Sequence, residues 1–412
     1  MRRAGALAPL RHRQFALFWS GALVSNVGNW METVAAGILV TETTGKAGWT
    51  GVIAVASFVP SAVLGPIGGV LADRVERRRL LLATTAVQTV CAGLLAVLAA
   101  RGSPSPVAMA LIMFASGCVS ALGFASYQAV LPDLVPREDL LAAISLSSAQ
   151  WNMGRVIGPV LAGVAIAQGG YAWAFACNTA SFFAVIAALL AIRLPPPLHA
   201  TGQPLLRGLQ EGARFARHAP PIRAAIGSIA LNSLLAGPFI ALVPVMAIKV
   251  LHAGAGGTSV LVTAQGLGAV ATALLLGGLA ARFSAYRVLI TTMAALPAAL
   301  LLYAWSPRLW PAAAAIFILG GLYLSLLSGL SNVVQTRTPA TLRGRVLSLH
   351  GSTLSTIYPL GSILQGTIAD RIGLRDTTTL AALLLAAVLI AVRLGRPRLV
   401  RALGEQTSSS VK

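Results

Sequence analysis

Charge is what this sequence has least of. Asp, Glu, Lys and Arg make up 10% of 412 residues, against 56% for hydrophobic types. Soluble domains carry about 25% charged residues, so a mostly water-facing globular chain is excluded. With a mean hydropathy of +0.79, the chain reads as a polytopic membrane protein. Acids are the scarcest of the charges: 11 Asp and Glu stand against 31 Lys and Arg, a net charge of +20. Such an excess can mark nucleic-acid binding, but here the basic residues sit in short loops between apolar runs, not along a groove or stripe. Cysteine is nearly missing too. Cys91, Cys118 and Cys177 each fall inside an apolar run, without metal-ligand spacing or pairing, and read as reduced packing residues. A Walker-type lysine loop and a Ser/His/Asp constellation are also lacking, so ATP-driven pumping, catalysis, a cofactor and a metal have no support. The basic N-terminus leads into a long apolar run without a small-residue cleavage site and reads as a retained first span.

What is there is a series of apolar runs, each able to cross a bilayer in about 20 residues. They fall near 15–40, 48–72, 79–100, 106–131, 141–168 and 171–193, then near 222–250, 257–281, 286–305, 309–336, 344–370 and 376–395. This predicts an all-α membrane protein of twelve spans. Residues 1–193 form one six-helix bundle, 194–221 a linker, 222–395 a second bundle and 396–412 a tail. Placing the N-terminus inside puts 24 Lys and Arg on the inner side and six on the outer, with Arg155 inside a span. That bias predicts a multi-pass protein of the cell inner membrane with both termini cytoplasmic. The halves also echo each other. At an offset of 203 residues, Pro136 aligns with Pro339, Ser145-Leu146 with Ser348-Leu349, and Gly158, Leu161 and Gly163 with Gly361, Leu364 and Gly366. Duplicated bundles place a substrate between them near the midplane. In the linker, Leu205, Leu209, Ala213 and Ala216 recur at helical spacing, which predicts an amphipathic interfacial helix; a disordered tether is the alternative, supported by Pro195-Pro196-Pro197.

The most telling stretch is Gly154-Arg155-Val156-Ile157-Gly158-Pro159-Val160-Leu161-Ala162-Gly163. Gly154, Gly158 and Gly163 let a neighbouring helix approach closely, and Pro159 bends the helix where it packs. Arg155 needs an acid or a wet cavity. This stretch resembles the span-5 antiporter motif of the major facilitator superfamily, Gly-x-x-x-Gly-Pro-x-x-Gly-Gly, with Ala162 in place of one glycine. The inner end of span 2, Gly69 to Arg79, resembles that superfamily's Gly-x-x-x-Asp-Arg-x-Gly-Arg-Arg loop, with Glu76 where glycine is usual. Leu10 to Phe15, Leu131 to Pro136, Arg343 to Val346 and Pro359 to Ser362 together resemble the branch of siderophore (enterobactin) exporters and drug or metabolite efflux proteins. The resemblance covers nearly the whole chain. It implies alternating access, with Gly69, Asp73, Arg74, Arg77 and Arg78 acting as a latch against the start of span 11 at Arg343 and Arg345. The loop can equally be a topology signal alone. The span-4 arginine of many proton-coupled exporters is absent.

Of the acids, only Glu32 lies well inside a span. At about 1.5 Å per residue, Glu32 lies roughly 25 Å and Arg155 roughly 21 Å from the inner ends of their spans. The two are therefore expected to interact, with Glu32 carrying the coupled proton. Burial and a nearby guanidinium act oppositely on a carboxylate, which makes it sensitive to cavity opening. A static buried ion pair is the alternative. The membrane potential supplies about 2.3 kcal/mol per charge per 100 mV. The resemblance implies that spans 1, 4, 7 and 10 line the path, which gives Asn26, Asn29, Tyr127, Gln128, Asn232, Ser233, Ser328, Asn332 and Gln335 as candidate substrate contacts. Tyr358, aligned with Arg155, adds aromatic surface beside Trp30 and Trp151. Each can instead be an interhelical packing or hydrogen-bonding group. The expectation is a proton-coupled exporter of a small amphipathic metabolite, siderophore or drug. It works as a monomer, with substrate, protons and the bilayer as partners. An importer or lipid flippase of the same fold, or a non-transporting receptor, are the competing readings.

Overall fold

The computed structural model describes residues 7–102, 104–192, 194 and 205–404. Helix follows helix: α1 (Arg13–Thr44), α2 (Ala47–Arg74), α3 (Arg77–Ala100), α4 (Pro106–Val130), α5 (Leu140–Ala191), α6 (Leu205–His218), α7 (Pro220–Leu235), α8 (Val243–Val245), α9 (Gly254–Phe283), α10 (Ala285–Ala304), α11 (Leu309–Arg337), α12 (Ala340–Ile372), α13 (Leu374–Gly395) and α14 (Pro397–Ala402). No strand occurs among the described residues. Among the described residues, eight helices are long and apolar enough to cross a bilayer, and α5, with 52 residues, is two crossings in one. Its two arms meet at Gly170, whose φ of 72° suits glycine and few other residues. The crossings outside that group of eight are α1, α12 and the interrupted α7–α8 segment. α1 and α12 carry charged and polar residues that lower their apolarity, the α7–α8 segment is broken into shorter helices, and with them the crossings number twelve among the described residues.

Span 7 departs from the expected continuous helix. α7 stops at Leu235, a 3-10 turn runs over Gly237–Phe239, and a π turn follows at Met246–Val250. Pro238 is the cause: it has no N–H and its ring meets the carbonyl four residues back, that of Leu234. In hydrocarbon a freed carbonyl must find another donor. Gln365 of α12 supplies it, its Nε2 donating to Leu234 O at 2.9 Å and Leu235 O at 3.0 Å.

By contacts the chain divides into two units. One takes in the described residues of 1–201 and 244–263, the other those of 202–243 and 264–412. The hairpin from α8 into the first turns of α9 thus groups with the first unit, although the sequence assigns it to the second bundle. Small residues set the spacing inside each unit. In the first, a Cβ on Gly68 would stand 2.8 Å from the Ala121 carbonyl, and one on Gly117 2.8 Å from that of Ser57, so α2 and α4 touch backbone to backbone. The neighbouring Gly69, placed by the sequence in the latch loop, has nothing within 4 Å of its Cβ position. In the second, a Cβ on Gly361 would stand 2.7 Å from Leu234 O, which brings α12 against the broken end of α7. An apolar cluster of Phe15, Phe18, Leu81, Val130, Leu134, Leu189 and Ile192 packs together at one end of the first unit.

Candidate substrate and proton sites

Glu32 is 5% exposed, on the face of α1 that packs against the second arm of α5. Its Oε2 accepts a 2.7 Å hydrogen bond from Asn178 Nδ2. Ser181 Oγ donates to Asn178 Oδ1 at 3.0 Å, which turns the amide so that its NH₂ faces the acid. Gly28 makes room for this: a Cβ there would stand 2.2 Å from Asn178 Oδ1 and 2.4 Å from Ser181 Oγ. The expected ion pair of Glu32 with Arg155 is not among the ion pairs of the described residues; Asn178 holds the carboxylate instead. The reason is rotation about α1: Glu32 points to span 6. The Arg155 guanidinium, on span 5, lies 5.8 Å from the centroid of the Trp30 ring, on an adjoining face of α1. Equal depth placed both residues at one level but did not fix azimuth.

Gly154 and Gly158 bring span 5 onto α1. Cβ atoms there would meet Asn26 Nδ2 at 2.3 Å and Trp30 Cβ at 2.5 Å. Pro159 is buried within the helix, and a Cβ on Gly163 would stand 2.6 Å from Ser259 Oγ. One turn before Gly154, Gln150 is 2% exposed and links two spans. Its Oε1 accepts from Tyr127 Oη at 2.9 Å, and its carbonyl accepts from Asn26 Nδ2 at 2.9 Å. Tyr127 also stacks on Phe18 with centroids 5.1 Å apart. These groups line a cavity of about 120 Å³ among α1, α3, α4 and α5, with Asn29, Thr84, Gln88 and Ser120 as further polar wall and Phe124 and Trp151 as aromatic wall.

The structure thus brings Asn26, Asn29 and Tyr127 together. Gln128 turns away to a separate cleft beside Pro132 and Ser148. In the second unit, Asn232 is fully buried and donates to its own helix at Ser228 O, 2.9 Å away. Tyr358 lies beside the span-7 break, its Cδ2 3.0 Å from a Cβ built on Gly237. Ser328 is half-buried and Asn332 exposed on α11. Sequence reasoning missed Asn178, Ser181, Gln150 and Gln365. Gln150 was within reach, since Ser147, Gln150, Gly154 and Gly158 form one helical stripe.

The arginines expected to latch the loop have local partners. Arg77 pairs with Asp133 and also donates to Ala129 O at 3.2 Å, while Arg78 donates to Leu190 O at 2.9 Å. His12 meets Asp139 at 2.7 Å. Four stretches far apart in sequence, at 12, 77–78, 129–139 and 190, are so tied into one rim of the first unit. Glu76 fits the turn with φ of −54° and pairs with Arg79 at 2.6 Å, so glycine is not required there. Arg345 pairs with Glu211 of α6, and a Cβ on Gly212 would stand 3.1 Å from Arg345 Cβ. The linker helix therefore lays Gly212 on α12, with Ala216 of the same helix buried. Arg74 and Arg343 are exposed. The side chains of Asp73, Leu205 and Leu209, and residues 195–204 and 405–412, lie outside the described residues.

Known proteins agree with this architecture. A structure of a bacterial homolog of the human lysosomal transporter Spinster aligns over 97% of this chain and 99% of its own, with TM-score 0.75 and 14% identity. A bacterial homologue of the iron transporter ferroportin aligns over 92% and 98%, with TM-score 0.70 and 18% identity. In sequence, the enterobactin exporter of Citrobacter koseri is 30% identical over 312 residues, 73% of this chain and 72% of that protein. The multidrug efflux pump Tap of Mycolicibacterium fortuitum is 28% identical over 375 residues, 86% of this chain and 89% of its own. The profile of the family described as transmembrane secretion effector matches residues 4–410. With twelve spans, duplicated halves and this match over nearly its whole length, the chain belongs to the transmembrane secretion effector family of the major facilitator superfamily of transporters.

Proposed function

We propose that the protein is a proton-coupled exporter of a small amphipathic compound carrying an aromatic ring and several polar groups, a siderophore or drug-like metabolite. It works by alternating access as a monomer in the inner membrane, with both termini cytoplasmic. The observation that carries this reading is the cavity of the first unit, lined by Asn26, Asn29, Tyr127 and Gln150 together with Phe124 and Trp151, with buried Glu32 a turn beyond Asn29. Such a wall can stack a ring and hydrogen-bond its substituents. Relatives named as exporters support the direction.

Glu32 is the proton carrier in this scheme, with Asn178 as its partner in place of Arg155. Arg155 keeps a fixed positive charge near Trp30 at the edge of the α1–α5 contact. Asn232, Ser328, Asn332 and Tyr358 are the second unit's own substrate contacts in this reading, and Gln128 is a further one of the first unit. The Asp73 loop, with Arg343 and Arg345, secures the inner side when the path opens outward. Uptake into inside-out vesicles acidified in the lumen tests the scheme. Wild type takes up a fluorescent amphipathic substrate as the lumen is acidified. In Glu32→Gln the pH-dependent part falls at least tenfold, which is about 1.4 kcal/mol. Undiminished proton-dependent uptake by that variant removes Glu32 from coupling. Uptake that needs an alkaline lumen instead makes the protein an importer.

A further inference from the structure

At the arginine-rich end of the second unit, α7, α10 and α13 leave a groove between them. Its walls are apolar, built from Ala224, Leu231, Ile290, Val388, Val392 and Leu403, and it encloses about 350 Å³. The chain itself shapes the lower end. After α13 stops at Gly395, the short α14 folds back, Leu403 becomes 5% exposed, and Gly404 packs on the Tyr286 ring. Beside the groove, Ile390 and Leu394 are 58% and 77% exposed. Apolar surface of that kind is covered by acyl chains, so the groove opens sideways into the bilayer and not into a water-filled path.

Its mouth is basic. Arg223 and Arg393 stand on the rim, and a second hollow directly adjoining it is lined by Arg223, Arg396 and Arg398. No acidic residue lines either space, and none of the four guanidiniums has an ion-pair partner among the described residues. α7 begins at the same place without a side-chain cap, and its dipole adds positive potential. The arginine count of the loops assigns this end to the cytoplasmic side. Hydrocarbon walls leading to a cluster of unneutralised arginines at headgroup level match one ligand chemistry: an anionic phosphodiester carrying acyl chains. Guanidinium forks bind phosphate oxygens in pairs.

We propose that this groove is a binding site for an anionic phospholipid of the cytoplasmic leaflet. One acyl chain lies along α7, α10 and α13, and the phosphate is held by Arg223 and Arg393 with support from Arg396 and Arg398. Bound there, the lipid bridges span 7 to spans 9 and 12 and ties the folded-back α14 to them. The site is separate from the polar cavity of the first unit and does not depend on what is transported.

Gly227 offers a clean test, because it lines the groove and a Cβ there would meet nothing within 4 Å. Leucine at that position fills the groove without touching the fold, and it favours the helix. The full-length protein in detergent is titrated with phosphatidylglycerol, phosphatidylcholine or glycerol phosphate, while bound lipid is counted by native mass spectrometry and the thermal midpoint is followed. Phosphatidylglycerol is expected to bind and raise the midpoint, with the other two giving little. Gly227→Leu loses the bound lipid but keeps its lipid-free midpoint. Arg223→Gln and Arg393→Gln each weaken phosphatidylglycerol binding by about fivefold, as removal of one basic residue near a lipid headgroup should. Arg137→Gln, on another loop of the same face, leaves it unchanged. Equal binding of phosphatidylcholine, equal loss in Arg137→Gln, retained lipid in Gly227→Leu, or a full shift from glycerol phosphate alone each overturns the assignment. Should Arg393→Gln fold poorly, Arg393→Lys retains the charge and is expected to keep part of the selectivity; none kept counts against the site.

Discussion

Single residues here act mainly by what they leave out. Gly158 has no side chain, so α1 and span 5 meet with Val27 O 2.8 Å from where a Cβ would be. Because the obstacle includes backbone, it cannot simply rotate away. Gly158→Leu is therefore expected to force the helices apart and destabilise the protein by at least 3 kcal/mol, in the range of severe overpacking. Thermal unfolding in detergent measures it, and a midpoint within about 1 °C of wild type would contradict the close contact. The same variant tests the link to function, since spreading that contact also displaces Asn26 from the Gln150 carbonyl. Glu32 is the opposite case, a residue whose side chain is present and enclosed. Asn178 and Ser181 organise its surroundings, and only the rotation of α1 decides that they do so and Arg155 does not.

At the scale of elements, the interrupted span 7 shows how a helix break is tolerated in hydrocarbon. Pro238 cannot donate, and the carbonyls of Leu234 and Leu235 take Gln365 instead. Gln365→Met preserves length and leaves both carbonyls without that donor, at about 1–3 kcal/mol for each orphaned group. The expected outcome is a lower thermal midpoint together with faster amide exchange at the start of the break. Exchange unchanged from wild type would mean that another donor replaces the glutamine. The linker helix belongs to this scale as well. Its helical spacing was readable, but its contact with α12 through Gly212 and the Glu211–Arg345 pair was not, because amphipathicity does not say which surface a face will meet.

For the whole molecule, the placing of arginine and lysine in the loops predicts the orientation, and cysteine labelling checks it. With Cys91, Cys118 and Cys177 replaced, Arg137→Cys should react with an impermeant maleimide only in inside-out vesicles, and Lys46→Cys only in right-side-out ones. The reverse pattern would invert the protein and turn the proposed export into import. The inner rim, where Arg77 meets Asp133 and His12 meets Asp139, then faces the cytoplasm.

Sequence by itself determined the twelve crossings, the repeat of the halves, the arginine-biased face and the glycine stripe of span 5. Each of these is a one-dimensional property: apolar run length, residue offset, loop composition and helical period. Tertiary structure alone decided what met what. It gave Glu32 to Asn178, gave Arg345 to Glu211, set the close approach of α2 at Gly68, and placed Gln365 at the break in span 7. Depth in a membrane can be counted along a helix, but the direction a side chain faces depends on how that helix is rotated against its neighbours. That rotation is set by small-residue contacts coming from other parts of the chain.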